Sequence, residues 1–203
     1  GLKGGRLTHC AFADDITLVS RSWSSLKKMI TAIKEALARR GLNLHPSKCK
    51  VQTNNTAWTQ RGDIDIEEGF SVEILPYDEG LVVLGTLLHL TDPTGREIRN
   101  RVAAGWKSFW SMSRLLTNRK VSMTQRLKVF DGSVVNSVLW CTESWTPREE
   151  ELRLLETTRR AMLRRMAAVR RCIDETWLDW IQRATHTALA APERAGVRCR
   201  KLT

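Results

Sequence analysis

The chain has 203 residues, 42% of them hydrophobic, which is enough to bury a core in one domain or two small ones. Its formal net charge of +11 favours a polyanionic partner, such as nucleic acid or an anionic membrane surface. No apolar run approaches the roughly 18 residues of a membrane span, and no signal peptide is visible. The five cysteines are scattered and odd in number, which argues against a disulfide framework or a zinc site and favours a reducing compartment, the nucleus or cytoplasm.

The positive charge is confined to one half of the chain. Residues 1–93 contain 11 Lys and Arg against 11 Asp and Glu, whereas residues 94–203 contain 22 against 11. The run "LTDPTG" at residues 90–95 is also rich in turn formers. We therefore predict two domains, residues 1–93 and residues 94–203.

The first half begins with two short predicted strands, "THCAFA" and "ITLVS". Asp14 and Asp15 stand between them, and we expect these two residues to form the turn of a hairpin. The stretch "SWSSLKKMITAIKEALARRG" has helical apolar spacing, serines that suit an N-cap and Gly41 as a stop. The strand "CKVQT" follows, so strand, helix and strand predict a crossover unit packed on a sheet.

Two further stretches complete the predicted first domain. "DIDIEEGFSVEIL" alternates polar and apolar residues, as a half-exposed hairpin does. "GLVVLGTLL" is predicted to be one short strand with a glycine at a bend. The first half is therefore predicted to be α+β, a small antiparallel sheet with one long helix.

The second half is predicted to be an all-helical bundle. Apolar residues recur at helical spacing in residues 96–116, 122–140, 146–166 and 174–191, the last stretch ending before Pro192. Thr146, Pro147 and Glu149 have the spacing of a helix cap, a first helical residue and a capping box.

The pair Asp14–Asp15 allows two interpretations. Aspartate is a common turn residue, so the pair is explained by a solvated loop. Alternatively, carboxylate oxygens are the preferred ligands of Mg²⁺. Paired carboxylates on a rigid turn suit phosphoryl transfer, in which two metal ions about 4 Å apart clamp the attacking and leaving oxygens.

The order of several motifs resembles the reverse transcriptases of LINE-type (non-long-terminal-repeat) retrotransposons. The resemblance covers about residues 8–188 and continues into "VLWCTESW", which is similar to a segment of the family's thumb. The matching residues are Phe12, Ala13, Asp14 and Asp15 in the palm hairpin, Gly41, Leu42, Lys48 and Cys49 after the helix, Leu84 and Gly85 in the primer grip, and Leu139, Glu143 and Trp145 in the thumb.

The resemblance implies a role for each of five residues. Asp14 would be a metal ligand, Asp15 its neighbour with a weaker or indirect role, and Lys48 the group that protonates the pyrophosphate leaving group. Leu84 and Gly85 would shape the turn that holds the primer end. A solvated lysine and ordinary sheet packing are the corresponding alternatives for Lys48 and Leu84.

The resemblance also implies that the intact enzyme copies an RNA template from a DNA primer with deoxynucleoside triphosphates and Mg²⁺. The family's fingers and the palm strand with the first metal-binding aspartate precede the DD hairpin. Residues 1–7 are too few to contain them. We therefore expect a carboxy-terminal palm and thumb portion that is inactive alone and needs a missing amino-terminal segment.

A thumb grips duplex phosphates through positive charge. The candidates are Arg96, Arg99, Arg101, Lys107, Arg114, Arg119, Lys120, Arg126 and Lys128. Any one of them alone is also explained by a solvated helix face, and tryptophans such as Trp106 and Trp110 are explained either by base stacking or by core packing. Two other functions remain open: a nucleic-acid-binding remnant without catalysis, and a basic helical module for protein contacts.

Overall fold

A computed structural model describes residues 8–202, in two compact units that meet in the sequence between Thr91 and Asp92. The class is α+β, as predicted, because the first unit combines short strands with one long helix and the second unit is helical. In the described part of the chain, no helix has the length and apolar character to cross a bilayer.

From residue 8 onward, the first unit contains seven strands and one long helix. The elements are β1 (His9–Phe12), β2 (Asp15–Leu18), α1 (Trp23–Ala38), a single 3-10 turn (Pro46–Lys48), β3 (Lys50–Gln52), β4 (Gly62–Glu67), β5 (Phe70–Leu75), β6 (Leu81–Val83) and β7 (Thr86–Leu88). Ser22 caps α1 by accepting a hydrogen bond from the backbone N–H of Ser25 at 3.3 Å, as the serine-rich start predicts.

The prediction of one antiparallel sheet is wrong in detail. The described strands form three separate sheets: the hairpin β1–β2, the hairpin β6–β7, and a central sheet in the order β3–β5–β4. Within the central sheet β4 is antiparallel to β5, but β3 is parallel to it. The predicted crossover unit of β2, α1 and β3 does not form, because β2 and β3 lie in different sheets. Alternation predicts a strand and its faces, but not the strand with which it pairs.

Helix α1 covers one face of the central sheet. Ile66, Phe70 and Val72 are buried there, and Trp23 and Ile30 of the helix pack against them. These contacts remove part of the apolar stripe of α1 from water, which is what holds an amphipathic helix to a sheet.

The second unit is a bundle whose helices share one apolar core. Its elements are α2 (Pro93–Ser111), α3 (Ser113–Leu116), α4 (Met123–Val129), a π-helical segment (Phe130–Val135), α5 (Asn136–Val138), a 3-10 turn (Thr142–Ser144), α6 (Glu149–Ala167) and α7 (Trp177–Arg194). Residues from most of these helices are fully buried together, among them Ile98, Phe109, Leu127, Val138, Leu155 and Met162.

The predicted helix over residues 122–140 is not uniform. It changes from α to π geometry at Phe130, and the hydroxyl of Ser133 donates to the carbonyl of Val129 within this stretch. Gly132 adds little intrinsic preference for an α-helix. The carboxy-terminal segment packs against this π-helical stretch. The Arg200 guanidinium donates to the carbonyl of Asp131 and to the side chain of Asn136, each at 2.7 Å.

Two helix ends differ from the prediction. Helix α6 begins at Glu149, and the carboxylate that accepts the backbone N–H of Arg148, at 2.8 Å, belongs to Glu151, so Thr146 is not the cap. Helix α7 continues past Pro192 to Arg194. Proline removes one donor, and this is tolerated so close to the end of a helix because only the last turn is affected.

Candidate functional site

The DD hairpin has its turn one residue earlier than predicted. Phe12 pairs with Asp15 across the hairpin, so the two turn residues are Ala13 and Asp14, and Asp15 is the first residue of β2. Ala13 takes the left-handed conformation, with φ at +53°. A positive φ at the first turn position alone is the pattern of a type II′ turn, whose twist matches that of the flanking strands.

The hairpin presents both carboxylates to solvent. Asp14 and Asp15 are exposed, and 66% of Phe12 is exposed beside them. Within the described residues, no group of three or more His, Cys, Asp or Glu side chains comes together in a way that would hold a metal ion. Two carboxylates match the one or two protein ligands that Mg²⁺ takes when phosphates and waters complete its shell. The pair therefore fits one part of a magnesium site and does not make a closed one.

Lys48 lies on a different element from the two aspartates. It ends the 3-10 turn that precedes β3 and is exposed. In the described chain no ion pair joins it to a carboxylate, whereas nearby Lys50 pairs with Glu73 at 3.3 Å. Nor does a hydrogen bond link Lys48 to Asp14 or Asp15, so the structure does not bring these three predicted site residues into contact.

Leu84 and Gly85 form the tip of a second hairpin. Residues 80–88 were predicted to be a single bent strand, but Val83 pairs with Thr86, and Leu84 and Gly85 connect β6 to β7. Both have positive φ, +50° and +79°, which is the pattern of a type I′ turn. Glycine adopts this conformation freely, whereas a leucine held there loses about 1–2 kcal/mol. The structure therefore has a tight two-residue turn at the position where the resemblance implies a primer grip.

The second unit presents most of the predicted basic residues to solvent. Seven of the nine are exposed: Arg96, Arg99, Lys107, Arg114, Arg119, Lys120 and Lys128. Arg99 pairs with Asp92 at 3.3 Å but keeps 52% of its side chain exposed. Arg119 also donates to the carbonyl of Ala168, at the end of α6.

The other two basic candidates are used inside the unit. Only 6% of Arg126 is exposed, and its guanidinium donates to the carbonyls of Val121, Leu116 and Met166 at 3.1, 3.2 and 2.6 Å. Burial lowers the pKa of Arg126, and the charge of Arg119 adds to the effect. Arg101 pairs at 2.9 Å with Glu97, whose side chain is 2% exposed. Both arginines are therefore unsuited to phosphate contacts at the surface of the unit.

The comparisons with known proteins bear on the first unit most directly. The family model described as reverse transcriptase (RNA-dependent DNA polymerase) matches residues 2–86. This segment is similar to reverse transcriptases. It includes the DD hairpin, Lys48 and the Leu84–Gly85 tip, so the residues that resemble palm motifs lie in the segment that matches.

A relative extends the similarity into the helical unit. An uncharacterised transposon-derived protein of Caenorhabditis elegans is 24% identical over 168 residues, which is 83% of this chain and 59% of the relative. The chain therefore spans less than two thirds of that protein's length. No solved structure matches the chain.

One surface group was not identified from the sequence. Trp106 and Trp110 stack on each other, and the Arg165 guanidinium lies over both rings, 5.1 Å and 5.6 Å from their centroids. The four-residue spacing of the tryptophans is visible in the sequence, but the arginine comes from another helix, 55 residues after Trp110.

Proposed function

We propose that the chain is the carboxy-terminal palm and thumb portion of a LINE-type reverse transcriptase. In the intact enzyme it would help to copy an RNA template from a DNA primer. The observation that carries the proposal is the exposed Asp14–Asp15 pair on a tight hairpin inside the segment that matches the family. The transposon-derived relative supports a mobile-element origin. All five cysteines are free, which agrees with a reducing compartment, the nucleus or cytoplasm.

Asp14 and Asp15 would hold Mg²⁺ through their carboxylate oxygens. When bound, magnesium supplies the electrostatic clamp on the attacking and leaving oxygens of a phosphoryl transfer. Asp15 lies in a strand and Asp14 in a two-residue turn, so the backbone holds the two side chains at a fixed spacing. This rigidity favours ion binding because little conformational freedom is lost when the ion arrives.

Two further elements would act on the substrates. Lys48, an exposed ammonium without a carboxylate partner in the described chain, would donate its proton to the pyrophosphate leaving group. The Leu84–Gly85 tip would hold the primer end, because a type I′ turn fixes both backbone and side-chain positions at the end of β6–β7.

The chain should be inactive alone. A polymerase site needs a metal cage and a positioned triphosphate, and in the described chain no third acidic, histidine or cysteine side chain joins the aspartate pair. Two exposed carboxylates hold Mg²⁺ loosely, since the ion keeps most of its waters when few ligands are offered. We propose that the missing ligand and the nucleotide-binding fingers come from a segment amino-terminal to the DD hairpin.

The helical unit would bind the RNA–DNA duplex through its phosphates. The seven exposed candidates are spread over helices α2, α3 and α4 and the loop between α3 and α4. About six phosphate contacts would give a log–log dependence of affinity on salt with a slope near −5. Arg96→Gln and Lys107→Gln should each reduce that slope by about one. Arg153→Gln is the matched control, because Arg153 already pairs with Glu149 at 3.1 Å.

Primer extension on an RNA template tests the catalytic part. The purified chain should show no Mg²⁺-dependent incorporation, and an amino-terminal fragment of a related reverse transcriptase should restore it. Asp14→Ala should then abolish the restored activity, while Asp63→Ala, which removes an exposed carboxylate of β4, should leave it intact. Incorporation by the chain alone that disappears in Asp14→Ala would mean that other residues of this chain complete the site.

A second candidate function is nucleic-acid binding without catalysis. The absence of a third ligand near Asp14 and Asp15 in the described chain favours it, together with the net charge of the helical unit. Salt-sensitive duplex binding combined with failure of every amino-terminal fragment to restore incorporation would select this function. A protein-interaction module, the third possibility, predicts no salt-sensitive binding to nucleic acid at all.

A further inference from the structure

Two stacked tryptophans lie at the surface of the helical unit. Trp106 and Trp110 are one turn apart on α2, with ring centroids 6.0 Å apart and planes inclined by only 22°. The fully buried Phe109 meets both rings edge-on, at 5.6 and 5.4 Å. Yet 53% of Trp110 is exposed. The ring is therefore braced from within and still presents a large aromatic surface to solvent.

Arg165 places a positive charge against the same rings. Its guanidinium lies over Trp106 and Trp110, a cation–π arrangement. Arg165 is exposed, and no carboxylate pairs with it in the described part of the chain. Other arginines of the unit differ: Arg153 and Arg160 on the same helix are held by Glu149 and Glu156. The charge of Arg165 therefore stays available to an anion.

The exposed face of α2 continues this surface. Arg96, Arg99 and Lys107 fall on the same side of the helix as Trp110 at helical spacing, and all are exposed. Ala103, also exposed, lies on the same side of the helix and has only a small side chain. The surface thus combines one open aromatic ring with cations. Of the two carboxylates close to it in sequence, Asp92 pairs with Arg99 and the buried Glu97 pairs with Arg101.

A flat aromatic ring among cations is complementary to a nucleotide that offers both a free base face and a phosphate. Bases within a duplex already stack on each other, so a duplex offers this surface its phosphates but no base face. Unpaired bases stack readily on tryptophan, whatever their sequence. The chemistry of this surface therefore favours a single strand over a duplex.

We propose that Trp110, braced by Trp106 and flanked by Arg165 and Lys107, stacks on an unpaired base of single-stranded nucleic acid. This inference rests on the proposed nucleic-acid-binding function of the helical unit and goes beyond it by adding a single-strand contact to the duplex contacts. A template strand beyond the paired region, or a free single strand, would supply such a base.

Fluorescence anisotropy with a labelled 12-nucleotide poly(U) strand and with an RNA–DNA duplex of equal length tests the proposal on the full chain. Trp110→Ala should weaken binding to the single strand at least about fivefold. It should change duplex binding less than twofold and leave the salt slope of both unchanged. Trp110→Phe should keep most of the affinity. Trp177→Ala is the matched control, because Trp177 on α7 is 61% exposed and, in the described part of the chain, no arginine lies over its ring.

Trp110→Leu separates stacking from packing, since leucine keeps apolar contact with Trp106 and Phe109 but has no aromatic face. It should lose as much single-strand affinity as Trp110→Ala while its melting temperature stays close to that of the native chain. Single-strand affinity that is unchanged in Trp110→Leu overturns the inference. So does a loss of self-association in Trp110→Ala, measured by sedimentation, with unchanged binding. If the native chain binds neither probe, the proposed function itself fails.

Discussion

Replacing Arg126 by methionine should destabilise the helical unit strongly. The guanidinium of Arg126 donates to three carbonyls, those of Leu116 at the end of α3, Val121 in the following loop and Met166 near the end of α6. Methionine has a similar length but no donor, so the variant leaves these acceptors without their partner. Carbonyls at helix ends need such partners because no further turn supplies an N–H.

The magnitude follows from two opposing terms. A hydrogen bond to a charged group contributes about 1.5–3 kcal/mol, and three of them are lost together. Part of this lost stability is recovered, because the variant no longer buries a positive charge and no longer places it near Arg119. Burial and the charge of Arg119 are also the two effects that lower the pKa of Arg126. We expect a net loss of about 2–4 kcal/mol in the free energy of unfolding, a large fraction of the 5–15 kcal/mol of an ordinary domain.

Urea unfolding followed by circular dichroism at 222 nm measures this loss. Lys128→Met is the control, since Lys128 is exposed two residues further along α4 and its replacement should change the free energy of unfolding by less than about 0.5 kcal/mol. Arg126→Lys should fall between the two, because one ammonium cannot reach three carbonyls in different directions. If Arg126→Met and Lys128→Met lose equal stability, the capping argument is wrong and Arg126 returns to the candidates for phosphate contacts.

Three further outcomes are expected. Gly105→Ala should destabilise the bundle by about 1–3 kcal/mol in urea unfolding, since the added Cβ overlaps the Cγ2 methyl of Val138, and Val138→Ala should restore part of the loss. Leu84→Asn should raise the melting temperature, because Asn-Gly suits a turn in which both residues have positive φ; an unchanged melting temperature would contradict that turn. The hydrogen bonds from Arg183 and the backbone of Cys172 lower the pKa of Glu175 from 4.5 to about 2. The pair should therefore stabilise the fold above pH 4.5 and lose that effect as the pH falls through about 2, and Glu175→Gln should remove this part of the acid dependence of the melting temperature.

The local patterns of the sequence were sufficient to predict most of the helices and strands. Alternation predicted the β4–β5 hairpin, and helical spacing with Ser22 predicted α1. These signals work because the side chains that create them are neighbours within one element. Near residue 93, where the composition shifts, the described structure changes from strands to helices.

The sequence was less informative where distant residues decide the outcome. Arg126 and Lys128 look alike in the sequence, yet one is buried against carbonyls that lie 5, 10 and 40 residues away and the other is exposed. The partner of Trp110 is another case, since Arg165 reaches it from α6. Pattern reasoning also placed the DD turn one residue too late, because it assumed that the polar residues form the turn. In the structure Ala13 takes the left-handed position instead, and Asp15 joins the strand.

The two units present charges of opposite sign to a phosphate group. The hairpin tip of the first unit exposes two adjacent negative charges, which repel phosphates unless a divalent cation lies between them. The helical unit holds nearly all of the excess positive charge and attracts phosphates without any ion. Affinity for nucleic acid should therefore depend on exposed residues such as Lys107, and turnover in a completed enzyme on Asp14. Under the proposed function these two properties would reside in different units, so mutation could remove catalysis while binding persists. For that reason, binding by itself cannot distinguish a working polymerase from a nucleic-acid-binding remnant, whereas restoration of activity by an amino-terminal fragment can.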